Sequence, residues 1–166
     1  MERLLLDGNH RYVSAEMRAW LIEFEDQMEQ LGFEKVVIGD FARWGTDTIA
    51  FIKPNVKAKT YIVKITFDGK SVQFRVYCRN VQKHQSFIES APKHIGEIFT
   101  GAVGNCNHCS VGGCVKPDGS CSHRKTYTIL GNQYAKCDGK VFYVPNFSQY
   151  PVEDYMALIR EIHCKR

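Results

Sequence analysis

Residues 61–76, YIVKITFDGKSVQFRV, hold two alternating apolar runs that are joined by the pair Asp68-Gly69. Asp-Gly is favoured in the two-residue turn of a β-hairpin, because that turn needs positive φ angles. The apolar side chains that we expect on one side of the first strand are Tyr61, Val63, Ile65 and Phe67. The segment therefore predicts an antiparallel hairpin, which excludes an all-helical fold.

The remaining pattern adds helices and further strands. Apolar residues at helical spacing follow Ser14, a plausible N-cap, and Gly32 fits the end of that helix. Short helices are predicted at 80–89, at 91–99 and from 151 onward. Strands are predicted at LLL (residues 4–6), 35–40, 48–53, 125–130, 133–136 and 141–144. We expect one α+β domain, 1–166, in which helices pack on one face of an antiparallel sheet and a cysteine-rich loop, 101–124, is inserted.

Composition limits the class of protein. The chain has 166 residues, of which 44% are hydrophobic, so it can bury a core without disulfides. Its net charge of +4 is small and argues against nucleic-acid binding. No apolar run approaches the ~20 residues of a membrane span, and the leucines before Asp7 are too few for a signal peptide. A cytoplasmic protein with no membrane partner is therefore expected, and cytoplasmic thiols stay reduced.

Five cysteines cluster in and after the segment CNHCSVGGCVKPDGSC, residues 106–121. A Cys-x2-Cys step presents two thiolates from one turn, which suits two corners of a zinc tetrahedron. The second pair is expected at matching ends of the hairpin formed by the strands at 125–130 and 133–136. The predicted ligands of a structural Zn²⁺ are Cys106, Cys109, Cys121 and Cys137. Cys114 is an alternative ligand, and His108 and His123 are weaker substitutes.

Other chemistry fits the cluster less well. Disulfides need an oxidising compartment, a redox role needs a thiol of lowered pKa, and the Cys-x2-Cys-x2-Cys run of many iron–sulfur proteins is absent. A closed shell of four thiolates leaves no open position for catalysis at the metal. The enzyme alternative is a thiol- or zinc-dependent enzyme with Cys114 as its reactive cysteine. A third hypothesis, nucleic-acid binding through Lys116, Arg124 and Lys125, is disfavoured by the small net charge.

A second candidate site is a pocket near DFARWGTDT, residues 40–48, where a tryptophan lies on a turn between strands. Such a tryptophan either plugs the core or forms one wall of a pocket. The residues that we assign to this pocket are Arg43, Trp44, Asp47, Tyr61, Arg124 and Tyr127. Outside it, His84 and His94 are expected on the surface of the short helices, and Cys78 is expected in the core.

Two segments resemble small bacterial α+β proteins that are classed as domains of unknown function. One is ARWGTDTIAFIKP with KTYIVKITFDGKSVQFRV, and the other is CSHRKTYTILGNQYAKCDGKVFYVPNFSQYPVEDYMALI. The resemblance implies a C-terminal cysteine-rich, zinc-binding motif and favours Cys121 and Cys137 over Cys114, but it implies no activity. We expect a zinc-binding, non-enzymatic module that takes a small molecule or a protein.

Overall fold

The computed structural model describes residues 11–39, 47–56, 60–101, 116–118, 120–121, 124–137 and 141–165. The strands in these ranges are β1 (Glu34–Gly39), β2 (Asp47–Ile52), β3 (Tyr61–Phe67), β4 (Val72–Tyr77), β5 (Arg124–Ile129), β6 (Asn132–Cys137) and β7 (Val141–Val144). The α-helices are α1 (Ala15–Gln30), α2 (Gln85–Ser90), α3 (Lys93–Thr100) and α4 (Val152–Ile159). A 3-10 turn, Val81–His84, precedes α2, and a π-helical turn, Arg160–Cys164, continues α4. The strand predicted at LLL lies outside the described residues.

Five strands form one antiparallel sheet in the order β1-β2-β3-β4-β7, and β5 and β6 pair separately. The predicted turn between β3 and β4 is present, but its two central residues are Gly69 and Lys70, because the Asp68 N–H donates to the Ser71 carbonyl over 3.2 Å. The Asp68 carboxylate accepts hydrogen bonds from the backbone N–H groups of Lys70 and Ser71, and Gly69 has a φ of +84°. The predicted α+β class with an antiparallel sheet is therefore confirmed.

The last strand of the large sheet, β7, pairs with β4 and not with its sequence neighbour β6. Phe142 lies opposite Val76, and Val144 lies opposite Phe74. All four side chains are buried, so β7 extends the apolar face of β4. Without β7, the unpaired backbone of β4 would form an open edge beside the hydrophobic core.

Helix α1 begins and ends as the sequence predicts. The Ser14 hydroxyl accepts a hydrogen bond from the Met17 N–H over 3.2 Å, and Gly32 takes a φ of +78° just beyond the helix. These groups satisfy backbone donors at one end and supply the left-handed residue that commonly stops a helix at the other. Within the described ranges, no helix is both long and apolar enough to cross a bilayer.

The core lies between the sheet and helices α1 and α4. The ring centroid of Phe74, on β4, is 5.0–5.8 Å from those of four other aromatic residues. These four are Trp20, Phe24, Phe147 and Tyr155. Since Trp20 and Phe24 belong to α1 and Tyr155 belongs to α4, both helices cover the same face of the sheet.

We expect Phe74→Ala to lower the free energy of unfolding by about 3–5 kcal/mol, because the cavity that it leaves is walled by four rings that cannot all collapse into it. Urea denaturation followed by circular dichroism measures this loss. Val37→Ala is the matched control, because Val37 is 51% exposed on β1 and its truncation should cost less than about 0.5 kcal/mol. Equal losses in the two variants would contradict a central role for Phe74.

Candidate functional site

Cys121 and Cys137 lie at the open end of the β5–β6 hairpin. Arg124 is opposite Cys137 in the strand register, and its backbone N–H donates to the Cys121 carbonyl over 3.2 Å. The turn at Leu130 and Gly131 closes the other end of the hairpin. The backbone therefore brings these two cysteine positions to one end of one hairpin. The other three cysteines of the cluster, Cys106, Cys109 and Cys114, lie outside the described residues.

One potential metal-binding side chain is described at this end of the hairpin. Cys121 carries a free, partly buried thiol. In the part of the chain that the structure describes, no group of three Cys, His, Asp or Glu side chains could hold a metal by itself. Any metal at Cys121 would need further ligands, and four thiolates would make the closed shell of a structural zinc site.

Contacts with the helices hold the middle and the closed end of the hairpin. The backbone N–H groups of Thr128 and Leu130 donate to the side chains of Gln82 and Glu89 over 2.9 and 2.7 Å. The Tyr127 hydroxyl donates to the Phe99 carbonyl, and its side chain is only 4% exposed. Tyr127, which the sequence assigns to a pocket, is therefore part of the core and anchors the hairpin.

The other residues of the predicted pocket are not brought together. Asp47 pairs with Phe67 at one end of β3, whereas Tyr61 begins that strand at its other end. These ends are six residue steps apart along an extended strand, which is about 20 Å. Arg124 is exposed at the start of β5. Arg43 and Trp44 lie outside the described residues.

A β-bulge moves Tyr61 to the side of β3 that faces away from α1 and α4. Tyr61 pairs with Ile52, and Val63 pairs with the adjacent Phe51, so Ile62 is the extra residue. The Lys64 Nζ lies 3.9 Å from the centroid of the Tyr61 ring, whereas Val63 is buried. The prediction that Tyr61 shares a side with Val63, Ile65 and Phe67 is therefore wrong, because the bulge breaks the alternation.

Two cations lie side by side on the face of the sheet that points away from the helices. Lys64 on β3 is directly opposite Arg75 on β4, an unfavourable pairing of like charges. Aromatic rings offset it, because Lys64 lies over Tyr61 and the Arg75 guanidinium is 4.6 Å from the centroid of Tyr143. Burial and, to a smaller extent, the charge of Arg75 lower the pKa of Lys64.

A cavity of about 400 Å³ opens where β3 begins and β4 ends. We call it the Tyr61–Tyr77 cavity, after the two rings of its wall, whose centroids are 5.7 Å apart. Its lining residues are Thr60, Tyr61, Tyr77, Arg79, Asn80, His84, Ile162 and His163. The volume is within the range of small-molecule sites, and none of these residues is acidic.

His163 joins the end of the chain to the wall of this cavity. Its Nε2 lies 2.7 Å from the Tyr77 carbonyl, and because a carbonyl only accepts, Nε2 carries the proton and Nδ1 is the bare nitrogen. Burial lowers the pKa of His163 to about 4, against the hydrogen bond to the Tyr77 carbonyl, which raises it, and the nearby cations Lys53 and Arg79 lower it further. The imidazole is therefore neutral at neutral pH.

His84 is buried, with 7% of its surface exposed, and its Nδ1 lies 3.2 Å from a Glu161 carboxylate oxygen. The prediction that His84 lies on the surface is therefore wrong. Val81, His84 and Ile88 are all buried and lie at helical spacing. This pattern in the sequence indicates that His84 is on the buried face. His94 is partly buried and stacks on Tyr150 at 4.0 Å. Cys78 is buried, as predicted, and burial raises its pKa to about 11.

We expect His163→Gln to make the free energy of unfolding less dependent on pH between about 6.5 and 4. Folding favours the neutral imidazole, so the stabilisation from His163 is complete above pH 6.5 and is lost as the pH falls towards 4. Between those values the wild type should lose about 1 kcal/mol per pH unit more than the variant. Urea denaturation at several pH values measures the difference, and data at pH 8 isolate the loss of packing. Parallel profiles for the two proteins would contradict the assignment.

Comparisons with protein-family models, with curated proteins and with solved structures find no match to this chain. Evidence on function therefore comes from the chain's own residues.

Proposed function

We propose that this protein is a cytoplasmic, non-enzymatic binding module whose fold is completed by a structural zinc ion. The proposed ligands are the thiolates of Cys106, Cys109, Cys121 and Cys137. The observation that carries the proposal is the position of Cys121 and Cys137 at one end of the β5–β6 hairpin. Two cysteines so placed can complete a tetrahedron with a Cys-x2-Cys step from the preceding segment.

The hairpin gives a physical reason for a metal at this end. A two-stranded sheet is marginally stable by itself, and helix contacts hold this one from Tyr127 to Leu130. At the opposite end the side chains of Arg124 and Lys125 are exposed. A zinc ion would clamp that end to the cysteine-rich segment and limit its fraying.

A zinc ion with four thiolate ligands would be structural and not catalytic, because it has no open position for a substrate or an activated water. We propose that the protein itself binds a small molecule or a protein. The Tyr61–Tyr77 cavity favours a small-molecule ligand. Its lining combines two aromatic rings with polar side chains from separate segments of the chain.

Metal analysis of single cysteine variants tests the zinc proposal. We expect one zinc ion per wild-type chain, and we expect most of it to be lost in Cys121→Ser and in Cys137→Ser, because three thiolates leave an incomplete shell. Cys114→Ser should keep the metal. Cys164→Ser is the matched control, since Cys164 is an exposed cysteine outside the cluster.

Hydrogen exchange gives a second measurement of the same proposal. Removing zinc with a chelator should speed amide exchange at the open end of β5 and β6 at least tenfold, while β3 and β4 remain protected by the core. A wild-type protein with no metal and seven titratable thiols would overturn the proposal. Loss of zinc in Cys114→Ser, with retention in Cys137→Ser, would replace Cys137 by Cys114 as a ligand.

A further inference from the structure

The Tyr61–Tyr77 cavity carries an excess of positive charge. Arg79 is exposed at its rim, and in the described ranges no ion pair joins Arg79 to a carboxylate. Lys64 stands over the Tyr61 ring and likewise has no carboxylate partner in those ranges. The Glu161 carboxylate contacts the lining residue His84 and also pairs with Lys165. The site therefore suits an anion better than a cation.

The polar groups of the cavity include a further hydrogen-bond donor and an acceptor beside Arg79. The Asn80 side-chain oxygen accepts from the Lys83 N–H at the start of the 3-10 turn, and its NH₂ group remains a donor. The bare Nδ1 of neutral His163 is an acceptor, because its Nε2 proton is used on Tyr77. The lining thus combines a guanidinium and an amide donor with one aromatic acceptor.

The aromatic part of the wall selects for a flat group. The rings of Tyr61 and Tyr77 are tilted by 38° to each other and share the same cation, Lys64. Aromatic side chains bind flat rings by offset stacking or edge-to-face contact. Ile162, on the turn that follows α4, adds an apolar surface to the lining.

We propose that this cavity binds a small organic anion that carries a planar ring, with the ring against Tyr61 and Tyr77 and the anionic group on Arg79. Arginine suits this role, because its guanidinium donates two parallel hydrogen bonds to a carboxylate or a phosphate. The inference names a ligand class for the proposed binding role, on which it rests, and it is independent of the zinc site.

Saturation-transfer NMR and calorimetry with defined probes test this proposal. The probes are adenosine monophosphate, uridine monophosphate and 4-hydroxybenzoate. The controls are adenosine, which lacks the anionic group, and inorganic phosphate, which lacks the ring. We expect at least one of the three ring-bearing anions to bind at least tenfold more tightly than adenosine and than phosphate. No binding of any ring-bearing anion at millimolar concentration would overturn the proposal.

Matched variants locate the site. Arg79→Gln should weaken binding of the successful probe about tenfold or more, because it removes the charged hydrogen-bond donor. Tyr61→Leu should weaken it about three- to tenfold, because it keeps an apolar side chain but removes the ring. Lys70→Gln is the control, since Lys70 is an exposed cation that lines a different cavity of about 410 Å³ beside the start of α1.

The outcomes separate this proposal from the zinc proposal. Equal affinity of wild type, Arg79→Gln and Lys70→Gln would overturn the assignment of the cavity, whatever the metal content. The zinc content should be the same in Arg79→Gln, Tyr61→Leu and Lys70→Gln as in the wild type, because none of these substitutions alters a cysteine. Probe binding by a protein that contains no zinc would support the cavity and reject only the metal site.

Discussion

The packing around Phe74 holds the two layers of this domain together. Its ring touches rings from α1, from α4 and from the turn after β7, so one side chain of the sheet joins elements that are far apart in the sequence. Trp20 strengthens the same junction, because its indole N–H donates to the Tyr150 carbonyl over 2.7 Å. The placement of α4 follows from this junction, and the C-terminal turn with His163 can reach the sheet only because α4 is fixed there.

Local patterns in the sequence predicted the elements well, because their causes are local. The Asp68-Gly69 turn, the Ser14 cap and the strand Val141–Val144 each depend on a few neighbouring residues. The pairing of β7 with β4 and the bulge at Ile62 depend on partners elsewhere in the chain. No alternation within Tyr61–Phe67 could reveal that Phe51 and Ile52 shift the register.

The candidate sites divide in the same way. The hairpin end that carries Cys121 and Cys137 follows from strand lengths and a turn, so spacing alone indicated it. The Tyr61–Tyr77 cavity combines residues 60–61, 77–84 and 162–163, which only the tertiary fold brings together. Periodicity can suggest that His84 is buried, but it cannot identify Glu161, which lies 77 residues later, as its partner.

The contact between His163 and Tyr77 also has a consequence for folding during synthesis. The two residues are 86 positions apart, so a ribosome that adds roughly 5–20 residues per second needs about 4–17 s to make the second after the first. During most of that interval β7 is absent too, and the nascent β1–β4 meander exposes both the free edge of β4 and the tyrosine wall. During this stage of synthesis the unpaired β4 edge and the tyrosine side chains are exposed to solvent. Aggregation is then most favourable, so a chaperone would act on the chain at this stage.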